Sequence, residues 1–208
     1  MLLWGIYMKR SITKTLTFLA LFTALMCVLS PFAIPMQPVP ITLATLVVYI
    51  IAGLLDYKYA SIPVILYILI GLMGVPVFSN GTAGLAVLGG PTAGFIYGYI
   101  LGALAESLLL HFFKEKKWMY PVAMVVATIF IYAFGLTWFI IYMNNIGKAI
   151  TFGAALMACV VPFLLGDAIK IIAASSVCIS LRKHFERYMG TSLNKEDDKE
   201  IEEKEEDK

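Results

Sequence analysis

FGAALMACVVPFLLGDAIKIIAASSVCISL, residues 152–181, is an apolar run interrupted by only two charges, Asp167 and Lys170. A run of this length can cross a bilayer, which takes roughly 20 mostly apolar residues. Removing a carboxylate or an ammonium from water is costly, so charges in such a segment pair with each other or face a functional cavity. Three positions apart on a helix they share a face, and can do both. A purely structural ion pair tying this helix to a neighbour is the bland alternative.

The rest of the chain is of the same kind. Of its 208 residues, 60% are hydrophobic, and the mean hydropathy is +0.84. That is far from the balance of a soluble domain, so the expected fold class is all-α, a polytopic integral membrane protein. Six candidate spans emerge, at about 12–30, 41–55, 59–76, 92–113, 118–142 and 154–181. Only Asp56, Tyr57 and Lys58 divide the second from the third, which reads as a tight helical hairpin. Together they form one membrane domain over residues 1–188. The tail over 189–208 carries nine of the fourteen acidic residues, between Glu196 and Asp207, and is expected to be disordered and solvated. At the other end, Met8 before Lys9 and Arg10 is an alternative start. The run Leu16–Leu29 lacks an A-x-A cleavage pattern and reads as a retained first span.

Sorting Lys and Arg by loop gives the orientation. Lys9, Arg10 and Lys14, then Lys58, then Lys114, Lys116 and Lys117, then Arg182, Lys183 and Arg187 all fall on one face. The opposite face has Lys148 alone, because the loops Pro31–Pro40 and Val77–Pro91 contain no charge. Both termini are therefore expected in the cytoplasm of a plasma-membrane protein.

The two uncharged outer loops look suited to holding a solute. SPFAIPMQPVPIT, residues 30–42, has prolines at 31, 35, 38 and 40, so it should be stiff and extended, a lid or a shelf. VPVFSNGTAGLAVLGGPTAGFIYG, residues 75–98, places glycines at 81, 84, 89, 90, 94 and 98 beside Asn80 and Thr92. Glycine lets backbone approach a ligand closely; at Gly94 and Gly98, in register with Gly102, it equally fits close helix packing.

Several functions are excluded at the level of motif. No G-x-x-x-x-G-K-[ST] occurs, so any active transport draws its energy from another subunit or an ion gradient. Cys27, Cys159 and Cys178 lie in apolar runs and read as buried hydrophobes, and neither His111 nor His184 has a second ligand at a useful spacing. No catalytic constellation, metal site, cofactor or nucleic-acid partner is expected.

PVPITLATL at 38–46, GVPVF at 74–78, the N-G-x-x-G beginning at Asn80, GGPTAGF at 89–95 and the D-x-x-K of the last span stand in an order that resembles the BioY family. These are the biotin-specific membrane subunits, or S components, of energy-coupling-factor transporters. The resemblance runs from about Lys9 to Leu181. It implies six helices, biotin held beneath the first and third outer loops, and a multisubunit setting with a transmembrane coupling protein and two ATP-binding cassette ATPases. Self-association is left open. The resemblance also implies recognition of biotin by Asp167, Lys170 and Asn80, with Gly81, Gly84, Thr92 and Phe95 alongside.

The chemistry suits that ligand. Asp167 can accept from a ureido N–H, Asn80 can both donate and accept, and Lys170 can donate to either the ureido oxygen or the valerate carboxylate. Phe78, Phe95 and Tyr142 are aromatic candidates for packing on the bicyclic ring. On the first helix, Ala20 and Ala24 form an A-x-x-x-A, and the resemblance implies that this strip docks on the coupling subunit. Glu106, well into the fourth span, is expected towards the cytoplasm, beside a Lys or Arg or a partner subunit. A self-sufficient secondary transporter of biotin or a related small carboxylate is the rival; inverted repeats would mark it, and no convincing pairing of halves is present.

Overall fold

The computed structural model describes residues 2–113 and 116–206. Its long helices are α1 (Leu2–Leu29), α2 (Ala44–Leu54), α3 (Ile62–Leu72), α5 (Ala93–Phe112), α6 (Met119–Asn145) and α8 (Val161–Glu206), with short α4 (Leu85–Leu88) and α7 (Phe152–Cys159) between them. Among the described residues, three segments are long and apolar enough to cross a membrane: Ala93–Phe112, Met119–Asn145 and Val161–Phe185. Thr13–Leu29, Ala44–Leu54 and Ile62–Leu72 are apolar but shorter. At 1.5 Å per residue, eleven residues rise about 16 Å, well short of a hydrocarbon core of about 30 Å.

The last apolar run is not the single helix expected over 154–181. It breaks into α7 and α8 at Val160, whose backbone sits at φ −125°, ψ −54°. Pro162 is the cause. It has no N–H to give to the carbonyl of residue 158 and its ring would clash there, so α7 stops and α8 starts afresh at Val161 with proline in its first turn. At its far end, α8 carries a helical backbone through the acidic stretch to Glu206, where composition suggested an irregular tail. Glu and Lys are strong helix formers, and Glu200 and Lys204 stand at the i, i+4 spacing that supports a helix.

The tightest pair is α5 against α6, and glycine explains it. A Cβ on Gly94 would lie 2.3 Å from the Trp138 Cβ, one on Gly98 2.9 Å from the Ile131 Cα, and one on Gly102 2.9 Å from the Ile131 Cγ1. The small-residue stripe is therefore a packing seam and not a ligand cradle, as its register with Gly102 allowed. α2 fills the space between α5 and α8; Val47, Val48 and Ile51 are fully buried there.

The ends of the bundle differ in kind. At one end, the proline-rich loop forms a short hairpin, β1 (Ala33–Ile34) with β2 (Ile41–Thr42), pairing Ala33 with Thr42 and Ile34 with Ile41. It touches the glycine-rich loop where the Asn80 N–H donates to the Pro31 carbonyl at 3.2 Å. At the other end, the Lys14 ammonium donates to the Tyr188 carbonyl at 3.0 Å and Phe18 packs edge-on to Phe185. Tyr57 lies against His111 at 4.7 Å between ring centres, which joins the loop at Lys58 to the end of α5. The basic segments nearest both termini thus meet at the end of the bundle away from the two uncharged loops.

Candidate functional site

A cavity of about 50 Å³ opens beneath the two uncharged loops. Its roof comes from Val39, Pro40, Ile41 and Thr42 of the hairpin loop and from Ser79. α2 contributes Ala44 and Thr45, α3 Tyr67, the first turns of α5 Thr92, Phe95, Ile96 and Tyr99, and α6 Ile131 and Tyr132. α8 closes it with Phe163, Asp167 and Lys170.

The two charges of the last span are buried, at 4% and 9% exposure, and form a direct pair, Lys170 Nζ to Asp167 Oδ1 at 2.8 Å. They are not left to each other. Lys170 also donates to Thr45 Oγ1 at 2.9 Å, and the Thr45 hydroxyl donates onward to Asp167 Oδ1 at 3.4 Å. The Tyr132 hydroxyl donates to Asp167 Oδ2. One helical turn deeper, Thr128 gives its proton to the Met124 carbonyl, so the 2.6 Å contact between Thr128 and Tyr49 has Tyr49 as donor. α2 thus presents Thr45 and Tyr49, and α6 presents Thr128 and Tyr132, as two i, i+4 hydroxyl pairs facing the α8 charges.

This arrangement solves the energetic problem posed by the sequence. A buried ion pair is costly unless further hydrogen bonds satisfy what remains of each group. Here two hydroxyls help to do so, and unused capacity remains. An ammonium has three donors, and Lys170 directs two of them at protein atoms. A carboxylate has about four lone-pair directions, of which Asp167 fills three. Among the described residues, one Lys170 donor and one lone-pair direction of Asp167 Oδ2 have no protein partner, and both residues line the cavity.

The expected site residues divide into two groups. Asp167, Lys170, Thr92 and Phe95 come together around the cavity. Asn80, Gly81 and Gly84 lie outside its wall, in and next to the short 3-10 turn Ser79–Gly81, with Asn80 exposed at φ +57°. Gly84 takes φ +84°, and a Cβ there would meet nothing within 4 Å, so it serves the turn of the backbone. Phe78 is fully buried against Tyr67, 5.4 Å between ring centres, and its ring abuts Gly71; it stiffens the loop from behind. Tyr142 lies outside the wall as well.

Glu106 is fully buried, so it does not stand on a surface open to another subunit, and among the described residues neither carboxylate oxygen has a hydrogen-bond partner. It sits beside Gly53 and Cys178, in the neighbourhood where Arg182 donates to the Gly53 carbonyl at 3.1 Å.

Thr45, Tyr99 and Tyr132 do not stand out in the sequence. The signal they offer there is weak: hydroxyl side chains at i, i+4 in an apolar helix, Thr45 with Tyr49 and Thr128 with Tyr132.

Fold and site together define a helical membrane protein with a polar, charge-bearing pocket roofed by loops at one end of the bundle. The model of the BioY family matches residues 7–187, and the chain belongs to that family. Among curated relatives, "Biotin transporter BioY" of Thermotoga maritima is 39% identical over 164 residues, covering 78% of this chain and 92% of the relative. "Biotin transporter BioY2" of Lactococcus lactis is 33% identical over 174 residues, covering 84% and 93%. A solved structure, the S-component for biotin from an ECF-type ABC transporter, superposes with a TM-score of 0.75 at 27% identity, covering 84% of this chain and 93% of its own.

Proposed function

We propose that this chain is the high-affinity biotin-binding subunit of a biotin uptake transporter, working in the membrane with a transmembrane coupling protein and two ATP-binding cassette ATPases. The observation that carries the proposal is the Asp167–Lys170 pair at the cavity wall, with one acceptor and one donor unused. A ureido ring presents the complement, an N–H donor next to a carbonyl acceptor. Asp167 takes the N–H and Lys170 the carbonyl oxygen.

Charge favours the ureido oxygen of the two roles the sequence left to Lys170. Asp167 and Lys170 are the only charged residues among those lining the cavity, and they already neutralise each other. A valerate carboxylate at Lys170 would set two carboxylates against one ammonium away from bulk water, which is unfavourable. The tail therefore runs towards the loop end, past Ser79 and Thr92, while Phe95 packs on the bicyclic ring. Asn80, Gly81 and Gly84 belong to the segment that closes over the ligand, with Asn80 already tied by its backbone to Pro31.

The membrane domain crosses the bilayer six times, the short α2 and α3 being sheltered by their neighbours. Both termini are cytoplasmic, in keeping with the basic segments gathered at one end of the bundle. Ala20 and Ala24 dock the coupling subunit. Both are exposed, on an α1 face continuous with Leu16, Leu21 and Val28, while Leu19, Phe22 and Met26 turn inward.

Titration calorimetry on the purified chain tests the site. Biotin binds, and biotinamide, which lacks the carboxylate charge, binds within about tenfold of it. Loss of biotinamide binding alone would move Lys170 to the carboxylate. Absence of any biotin binding would remove the proposed function.

A further inference from the structure

Tyr132 is given no role by the motifs of the sequence, yet it is the only described side chain that hydrogen-bonds Asp167 Oδ2. The other oxygen, Oδ1, is held by Lys170 at 2.8 Å and by Thr45 at 3.4 Å. With Oδ1 held from α2 and α8 and Oδ2 from α6, the carboxylate cannot turn about its own axis without losing a donor on each side. Its remaining lone-pair direction is on Oδ2, the oxygen Tyr132 holds, and both residues line the cavity. Tyr132 is itself steadied by its surroundings: it is half-buried and packs on the core, and Ile131 beside it is clamped between Gly98 and Gly102 in the α5–α6 seam.

We infer that Tyr132 is a positioning residue for ligand recognition: by fixing Asp167 Oδ2, it aims that oxygen's one free lone pair at a ring N–H donor of the ligand. The inference rests on the reading of Asp167 as the ureido acceptor and adds the residue that orients it. A preset acceptor binds more tightly than one that must be ordered when the ligand arrives. It also selects for a donor at one position, because a ligand with no N–H there leaves a desolvated carboxylate oxygen unmatched.

The test is Tyr132→Phe, which deletes one oxygen and leaves the ring to pack. Biotin, and biotin analogues methylated at one or the other ureido nitrogen, are titrated into wild type and variant, with thermal unfolding measured alongside. The variant is expected to melt within a few degrees of wild type, since water can replace the lost donor at the cavity wall. Biotin should bind it about ten- to a hundredfold more weakly, the range for a hydrogen bond to a charged group. For the analogue methylated at the nitrogen facing Asp167, the two proteins should bind alike, because the contact that Tyr132 orients is already gone. Unchanged biotin affinity overturns the inference, and so does an equal loss for biotin and both methylated analogues, which would mark a merely structural tyrosine. Asp167→Asn, titrated in parallel, separates the two levels. If it keeps wild-type biotin affinity, the acceptor role of Asp167 fails. If it loses affinity and Tyr132→Phe does not, only the positioning role fails.

Discussion

Among the described residues two carboxyl side chains are buried, Asp167 and Glu106, and the bundle treats them in opposite ways. Asp167 has hydrogen-bond partners on both oxygens, from three different helices, and stands at a cavity wall. Glu106 is fully enclosed with neither oxygen hydrogen-bonded, beside Gly53 and Cys178. Burial alone therefore does not distinguish the proposed ligand site; a polar group held in place by protein partners at a cavity wall does.

Lys170→Ala should disturb this contrast most. It leaves the Asp167 charge buried beside its two hydroxyls, and breaking a buried pair in this way costs about 3–5 kcal/mol. Biotin affinity should fall by more than about a hundredfold and the melting temperature should drop as well, measured by calorimetry and thermal unfolding.

Ala20→Trp should have a large effect of a different kind. It places a bulky ring on the exposed strip of α1, so a pull-down from membranes should lose the coupling subunit while biotin binding by the purified chain is kept. Retention of the coupling subunit would place docking elsewhere.

Thr45→Val should have a smaller effect. It removes one acceptor from Lys170 and a long 3.4 Å donation to Asp167, so biotin affinity should weaken by about tenfold, a single hydrogen bond's worth. Glu106→Gln should change least, keeping biotin affinity within about threefold, because its neighbours are not those of the cavity. A strong loss there would join the two carboxyl regions into one functional unit.

The same contrast explains how much could be read from the sequence. Charges in an apolar run are rare and expensive, so Asp167 and Lys170 stand out at once, and the uncharged loops at one end of the bundle give the pocket its place. Hydroxyls are cheap in a membrane helix because they can bond back to their own backbone, as Thr23 does to Leu19 and Ser176 to Ile172. Thr45 and Tyr132 are therefore hidden among many such residues, and only the packing of α2 and α6 against α8 gives them a role. Glu106 is legible as an anomaly but not as an enclosed one, since its surroundings come from two other helices. Among the elements, the six apolar segments are legible within a few residues at most ends. The break at Val160 is not, because the run stays apolar on both sides of Pro162 and hydropathy does not register a missing N–H.

Calorimetric titration of biotin into Asp167→Asn bears most directly on the role of the charged pair. Asparagine has nearly the same shape, and it gives up the charge and one of the acceptor oxygens. If Asp167 is the ureido acceptor, the variant still folds, at a lowered melting temperature because Lys170 loses its counter-charge, and gives no measurable heat with biotin below that temperature. Wild-type affinity in that variant would refute the acceptor role and leave the charged pair as a structural tie between helices.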